Sequence, residues 1–513
     1  MHYPLPRTAR NVQPAADSHE KTAFPNSPPQ STKSRHIGTG ITQASLAGLA
    51  RRGTQIPPFF IGHRETMRHY LSRLRSRGEL LTVKREVDPR YEIAAVARRL
   101  QDETTKPVLF TNVRGSSLPV LMNLYTDHER LREIIRCEAD ETFCARLDRE
   151  ISLAATLETP TERVAAPTDW VTGKLSDLPI PTYHARDGAP YITAGVFLAK
   201  DPASGRANLS FHRSMVISDD ELRIRLGSTH DLARFQQQAE ARNEPLEAAI
   251  LIGADPEIFM SACVSLPPDG NELALAAAMR GGPIAMRPAR TIDLDVPVSA
   301  EIVIEGRILP NMRRPEGPFG EFMGYYVEVG DNHVFEITHV GWREGAVFQG
   351  LICGSHEDLR PLEAATAARI YKAISSQVRG VLDVSCRPTV MNTVIKLDKQ
   401  YEGHAQHALL AALGSHLDYN KLVIVVDKDV DIYNMEDVIW AFLTRGRADT
   451  RTMVIHDVPG FYRDAHKDHW GRLAIDATRP WGREAEFERK TIPGAGQIVL
   501  DDYLPHFSAR AAT

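Results

Sequence analysis

The sequence contains little cysteine: five residues in 513, at positions 137, 144, 263, 353 and 386, with no Cys-x-x-Cys pair. An odd, scattered set supports neither a disulfide framework nor a zinc knuckle, and a reduced, cytoplasmic setting fits it best. Long apolar runs are missing too. None approaches the roughly 20 residues needed to cross a bilayer, so no membrane partner is expected. Charge of one sign is also scarce. The net charge is −5 and no half of the chain is strongly basic, which gives no reason to expect nucleic acid. No GxGxxG follows a strand, and neither GxxxxGK[ST] nor GxSxG occurs. Rossmann dinucleotide binding, P-loop phosphoryl transfer and α/β-hydrolase chemistry thereby lose their main support.

What is present is the composition of a globular protein, 42% hydrophobic and 25% charged, long enough for two to four domains. Residues 1–62 differ from the rest: the stretch PAADSHEKTAFPNSPPQSTKSRHIGTG is rich in Pro, Ser, Thr and Gly and has no apolar period. Disorder is the expectation there. A cleaved transit peptide and a translation start at Met67 are the rival readings, and no secretory signal is visible.

Helix and strand alternate over 63–170, which predicts an α/β domain. RETMRHYLSRLRSRG reads as an amphipathic helix with Met67, Tyr70, Leu71 and Leu74 on one face. Over 171–348 the candidate strands YITAGVFLA, NLSFHRSMVI, EIVIEGRIL and HVFEITHVGW are short and separated by Pro/Gly loops. An antiparallel barrel or sandwich suits that texture. Alternation returns over 349–490 and predicts a second α/β domain with crossover helices. The segment 491–513 is a tail that could serve oligomerisation. DKDVDIYNMEDV fails as a calcium loop, with Ile432 and Val438 where Gly and Glu are needed. His404 and His407, one helical turn apart, are expected to be surface residues.

Two groups of residues remain as carriers of chemistry. Asn208 on the strand NLSFHR, His230 in GSTHDL and Glu272 at the start of an Ala-rich helix offer an amide oxygen, an imidazole and a carboxylate. Such a set suits Mn²⁺ or Mg²⁺. A turn cap, a core histidine and a helix-start acid are equally ordinary readings of the three. Strand alternation would put Asn208, Ser210 and His212 on one face, Phe211 and Arg213 on the other. The second group is RRPEGPFGEFMGYY, where Glu316 and Glu321 flank Gly317-Pro318-Phe319-Gly320. Two carboxylates brought close in an apolar pocket repel, which raises the pKa of one, while an arginine would hold the other ionised. Two solvated acids on an exposed turn are the plain alternative.

NLSFHR, LPPDGNELALAAAMRG and EGPFGEFMGYY together resemble the UbiD-type decarboxylases. LRSRGELLTVKREVDPRYEIAAVARR, PVLFTNVRG, VVDKDVDIYNMEDVIWAFLTR and GRLAIDATRPWG extend the resemblance over about residues 63–485. It implies a mixed α+β and α/β multidomain fold with a central split β-barrel that binds prenylated FMN. It also implies a divalent metal, Mn²⁺ or Mg²⁺, on Asn208, His230 and Glu272, with K⁺ as a further candidate. Ser210, Phe211, His212, Arg213, Thr229 and Arg472 would join those three in binding the cofactor. Arg213, Glu316 and Glu321 would form the catalytic network. Arg472 stands where many members carry lysine, so its role is open. The implied reaction is a reversible, non-oxidative decarboxylation of an aromatic, heteroaromatic or α,β-unsaturated acid. The implied partners are a flavin prenyltransferase that supplies the cofactor and further copies of the chain, as a dimer or hexamer. An FMN oxidoreductase on a split barrel and a non-catalytic flavin-binding homologue are the alternatives.

Overall fold

The computed structural model describes residues 66–504, apart from 159, 268, 417–418, 459 and 462–469. The expected disorder of 1–62 lies outside the described residues. The first helix, Met67–Ser76, is capped by the Thr66 hydroxyl, which accepts from the His69 N–H, and it buries Met67, Tyr70, Leu71 and Leu74 as the periodicity requires. The strand expected after it is only Leu81–Val83. It opens a four-stranded sheet ordered Leu81–Val83, Val108–Phe110, Val120–Met122, Phe348–Gln349. The last of these comes from the far end of the expected central region, so the 348/349 boundary falls inside a strand of the N-terminal sheet.

The central sheet has nine strands. Its main path runs Tyr191–Ile192, Ser214–Ser218, Glu221–Ile224, Gly330–Arg343, Ile302–Glu316, Leu246–Ile252, Val196–Lys200, Ala207–Phe211, and Trp170–Gly173 pairs with Gly330–Arg343. The pairings along this path are antiparallel. No pairing among the described residues joins its two ends, so the sheet is open rather than a closed barrel. Chain connectivity nonetheless forces it to curl. Strand Ala207–Phe211 ends the order and Ser214–Ser218 is next to its other end, yet the two are separated in the chain by His212 and Arg213 alone. The seam of the curl is therefore where two of the expected site residues sit.

The third sheet is ordered Val381–Ser385, Asn392–Leu397, Leu422–Asp427, Trp470–Asp476, Thr452–Val458. Its three inner strands are parallel and its two edges antiparallel. The apolar run LVIVVD belongs at its centre because helices cover both faces of parallel strands. The calcium-like segment is the end of Leu422–Asp427 followed by the Asn434 cap of helix Met435–Arg445, where the cap side chain accepts from the Glu436 N–H. Helix His356–Ser375 begins ahead of Pro361, where the sequence suggests a start at Glu363. Pro361 removes one helical hydrogen bond, and burial of Leu359, Ala364, Ala365 and Ala368 on the same helix offsets the loss. One apolar core cluster reaches from Met67 to Ala474 and ties the sheets together. Among the described residues no helix is long and apolar enough to cross a membrane.

Candidate active site

A cavity of about 480 Å³ opens where the curled sheet faces helix His356–Ser375. That volume is in the range of small-molecule and cofactor sites. Asn208, Ser210, Phe211, His212, Arg213, Thr229, His230, Glu272 and Glu321 all line it, so segments far apart in sequence converge there. Glu316 does not line it. It sits behind Arg213, 1% exposed.

Arg213 is clamped on two sides. Its Nε and Nη2 donate to the two oxygens of Glu316 at 3.0 and 2.7 Å, and its Nη1 donates to Glu321 at 2.5 Å. The two acids therefore meet one guanidinium in place of each other. Burial alone would lower the pKa of Arg213. The hydrogen bonds it donates to Glu316 and the charges of Glu316 and Glu321 outweigh burial and raise the group above its ordinary value. Glu316 is further satisfied by the Tyr191 hydroxyl and the Asn332 amide, each donating at 2.8 Å. A buried carboxylate with a bidentate arginine and two neutral donors is well compensated. The Phe319 ring lies beneath the guanidinium, its centroid 4.8 Å from Cζ.

The loop holding these acids is pinned by residues 187–188. The Gly320 N–H donates to Asp187 at 2.9 Å, and the Gly188 N–H donates to the Pro318 carbonyl at 2.9 Å. Gly317 adopts φ +105°, a conformation that side chains disfavour. At Gly320 the constraint is space: a Cβ there would come within 2.5 Å of the His184 ring.

The second group is arranged differently. Asn208, Ser210 and His212 share a face as expected, since the Ser210 hydroxyl bonds both Asn208 Oδ1 at 3.3 Å and His212 Nε2 at 3.0 Å, while Phe211 and Arg213, expected on the other face, line the same cavity. His212 Nδ1 donates to the Arg225 carbonyl at 3.2 Å. Burial, then the neighbouring His230, hold His212 well below the usual histidine range, so it is neutral. Glu272 is the first residue of helix Glu272–Arg280, whose Asn271 cap accepts from the Leu273 and Ala274 N–H groups and whose end is Gly281 at φ +74°. This buried helix fixes the carboxylate beside Asn208, whose amide donates to it at 3.2 Å, as does the Leu209 N–H. No ion pair among the described residues reaches Glu272, and burial pushes its pKa up to about 7.

A divalent cation fits that donor set. It would bring positive charge to a buried carboxylate that has only neutral donors, in a cavity also lined by the Asn208 amide and the imidazole of His230. No cluster of three or more His, Cys, Asp or Glu poised for a metal occurs among the described residues; the set here has two such side chains and an asparagine.

Arg472 is not part of the cavity wall. Buried in strand Trp470–Asp476, it donates to the Leu413 carbonyl at the end of helix His404–Ser415, and its charge acts on His416, which lines the cavity. His404 is buried, contrary to its surface expectation. All five cysteines are free thiols, two of which, Cys263 and Cys353, line the cavity. Several lining residues carry no sequence signal. Glu357 accepts the Asn123 and Leu124 N–H groups at 2.6 Å each, and burial still pushes it to about 8. Asp358 is pushed to about 6 by burial. Arg369, His416, Tyr419 and Phe461 form a wall from the C-terminal region. Asn332 reaches Glu316 only because Glu316 and Gly330 face each other across two long strands.

Three family models match the chain, all described as 3-octaprenyl-4-hydroxybenzoate carboxy-lyase: the UbiD N-terminal domain over 71–149, the Rift-related domain over 158–356 and the C-terminal domain over 362–477. Anhydromevalonate phosphate decarboxylase from Methanothermobacter thermautotrophicus is 32% identical over 431 residues, covering 82% of this chain and 99% of that protein. The UbiD-class enzyme HmfF from Pelotomaculum thermopropionicum, solved in complex with FMN, is similar with a TM-score of 0.81 and 33% identity, over 86% of this chain and 100% of that one. Vanillic acid decarboxylase from Sedimentibacter hydroxybenzoicus, in open form, gives a TM-score of 0.75 at 26% identity, over 86% and 99% of the two chains.

Proposed function

The chain belongs to the UbiD family of carboxy-lyases, and from that premise we propose that it is a reversible, non-oxidative decarboxylase of an aromatic, heteroaromatic or α,β-unsaturated carboxylic acid, working with prenylated FMN and a divalent metal. The observation that carries this reading is Arg213 clamped by Glu316 and Glu321 at the seam of the curled sheet, with Glu321 alone of the two acids facing the cavity. The open, curled sheet is read as the split barrel that receives the flavin.

In the reaction one C–C bond breaks, CO₂ leaves, and one C–H bond forms; no net electrons are transferred. Losing CO₂ from an sp² carbon leaves a carbanion that no side chain here can delocalise, and the modified flavin, when bound, supplies that electron sink. Arg213 uses three of its five N–H donors on the two acids, leaving two for a substrate carboxylate. Glu316 holds the guanidinium ionised and fixes its plane. Glu321 delivers the proton to the carbon that has lost CO₂. Asn208, His230 and Glu272 would hold Mn²⁺ or Mg²⁺, with K⁺ as a further cation. That ion would neutralise Glu272 and accept the cofactor phosphate. Ser210, Phe211, His212 and Thr229 line the flavin end.

A flavin prenyltransferase would supply the cofactor, and a cytoplasmic dimer or hexamer is part of the same proposal. Ile492, Val499 and Leu504, apolar and exposed near the C-terminus, support association. The test is co-expression with a flavin prenyltransferase, followed by the absorbance spectrum and CO₂ release on a panel of unsaturated and aromatic acids. A bound modified flavin with CO₂ release from at least one acid is expected. A modified flavin bound with no CO₂ from any acid would overturn the proposal.

A further inference from the structure

The cavity is electrically lopsided. The carboxylates that line it, among them Glu272, Glu321, Glu357 and Asp358, all come from residues up to 358. Among the described residues, the wall from Pro361 onward contains no acid and one arginine, Arg369. No hydrogen bond or ion pair joins Arg369 to another described residue. Arg369 is exposed, and an exposed arginine needs no partner in water, so its surroundings decide the matter.

Those surroundings are cationic. His416, 8% exposed and lining the cavity, is pushed down to about 4 by burial, then by the charges of Arg369 and Arg472, with no carboxylate of a described residue among the causes. It is therefore a neutral imidazole that feels the charge of two guanidinium groups. Its Nδ1 is buried and has no hydrogen-bond partner among the described residues. A buried polar atom without a partner carries a cost that a ligand atom can remove.

A ladder of rings leads from the acid end to this basic end. Phe322, next to Glu321 in the chain, lies 5.3 Å from Phe461. Phe461 lies 5.6 Å from Tyr419, and Tyr419 stacks on His416 at 4.8 Å and 24°. All four rings line the cavity. A flat unsaturated body fits against such a ladder, with one end at Arg213 and Glu321 and the other at Arg369 and His416.

Resting on the decarboxylase reading, we propose that the substrate is dianionic: one carboxylate is lost at Arg213 and Glu321, while a second anionic group, a carboxylate or a phosphate ester, is retained on Arg369 with His416 beside it. No hydrogen bond or ion pair ties Arg369 to an acid among the described residues, so the second anion is selected by charge and the first by chemistry. Hydrogen bonds to charged groups are worth enough that loss of this contact should cost about tenfold or more in affinity.

The test uses the cofactor-loaded enzyme and acids in matched sets: benzoate, terephthalate and 4-phosphonooxybenzoate; cinnamate, 4-carboxycinnamate and 4-phosphonooxycinnamate. CO₂ release should favour a doubly charged member of a set over its singly charged parent. Preference for the carboxylate or for the phosphate identifies the source of the second anion. Arg369→Ala should raise KM for that acid about tenfold more than for the singly charged parent while changing kcat little, and Arg369→Lys should fall between. Binding of the same acids to the flavin-free protein, followed by calorimetry, should show the same dependence on Arg369. Turnover of singly charged acids alone, or equal loss on both in Arg369→Ala, overturns the dianion inference and leaves the decarboxylase reading standing. Absence of CO₂ from any acid with the modified flavin bound overturns that reading instead.

Discussion

Glu316 and Glu272 are both buried carboxylates at one site, 1% and 5% exposed. Glu316 receives a bidentate arginine, a tyrosine hydroxyl and an asparagine amide. Glu272 receives one side-chain amide and backbone N–H groups, with no cation among the described residues, and burial raises it to about 7. The difference separates a finished structural device from an incomplete one. Around Glu316 the protein supplies its own counter-charge, which lets it fix Arg213 in one plane. Around Glu272 the described residues supply only neutral donors, so the group keeps its proton unless a counter-charge comes from outside.

The sharpest way to break this comparison is to remove the shared cation at Glu316. Arg213→Ala should abolish CO₂ release and leave Glu316 buried without a counter-ion. Breaking a buried pair in this way costs about 3–5 kcal/mol, measurable by denaturant unfolding. Unchanged stability would mean Glu316 is not held as described. Glu321→Gln is next: it should slow CO₂ release by about 10²–10⁴-fold, the usual worth of a positioned general acid, while the bound flavin spectrum stays the same. Near-full activity would remove Glu321 from the proton transfer.

Glu272 is tested through pH and metal. Its folded pKa, raised from the ordinary 4.5 to about 7, means the metal-free native state holds a proton that the unfolded chain has released. Stability from this group is thus fully present below about 4.5 and lost as pH rises through about 7. The melting temperature of the metal-free protein should fall over that window more steeply in wild type than in Glu272→Gln. Glu357, pushed to about 8, adds a slope of the same sign to both proteins, so the difference isolates Glu272. Mn²⁺ at 100 times its Kd should stabilise wild type by about 2.7 kcal/mol and Glu272→Gln far less. Equal stabilisation would place the metal elsewhere. The smallest effect expected is that of Tyr191→Phe, which removes one of the neutral donors to Glu316. A cost of about 1–3 kcal/mol is the usual penalty for an unsatisfied buried acceptor, with a modest loss of rate. An effect as large as that of Arg213→Ala would mean the tyrosine, not the arginine, secures Glu316.

The two sides of this comparison were unequally legible in sequence. Each expected residue around Glu272 and Arg213 sits in a short segment with its own punctuation: a strand end at Phe211, a helix start at Asn271, a Gly-Pro bend at 317–318. Local rules suffice to find such residues, and the cavity brings most of them together. Tyr191 and Asn332 were illegible because strand pairing alone delivers them to Glu316. The wall of Arg369, His416, Tyr419 and Phe461 was illegible for the same reason, since it depends on how helix His356–Ser375 packs against a distant sheet. Pro361 hid the start of that helix, and helix Pro256–Ala262 was too short, at seven residues, to show a period. Arg472 was the reverse case, a position aligned by motif but filled by arginine in place of lysine, whose guanidinium donates to the helix end at Leu413.

The central claim is that this cavity exchanges CO₂ for a proton without moving electrons. Its most direct test is turnover of the cofactor-loaded enzyme in D₂O, without NAD(P)H, with the product read by mass spectrometry. One deuterium on the carbon that lost CO₂, for each CO₂ released, is the predicted result. A requirement for NAD(P)H, or deuterium incorporation with no CO₂ release, would contradict it.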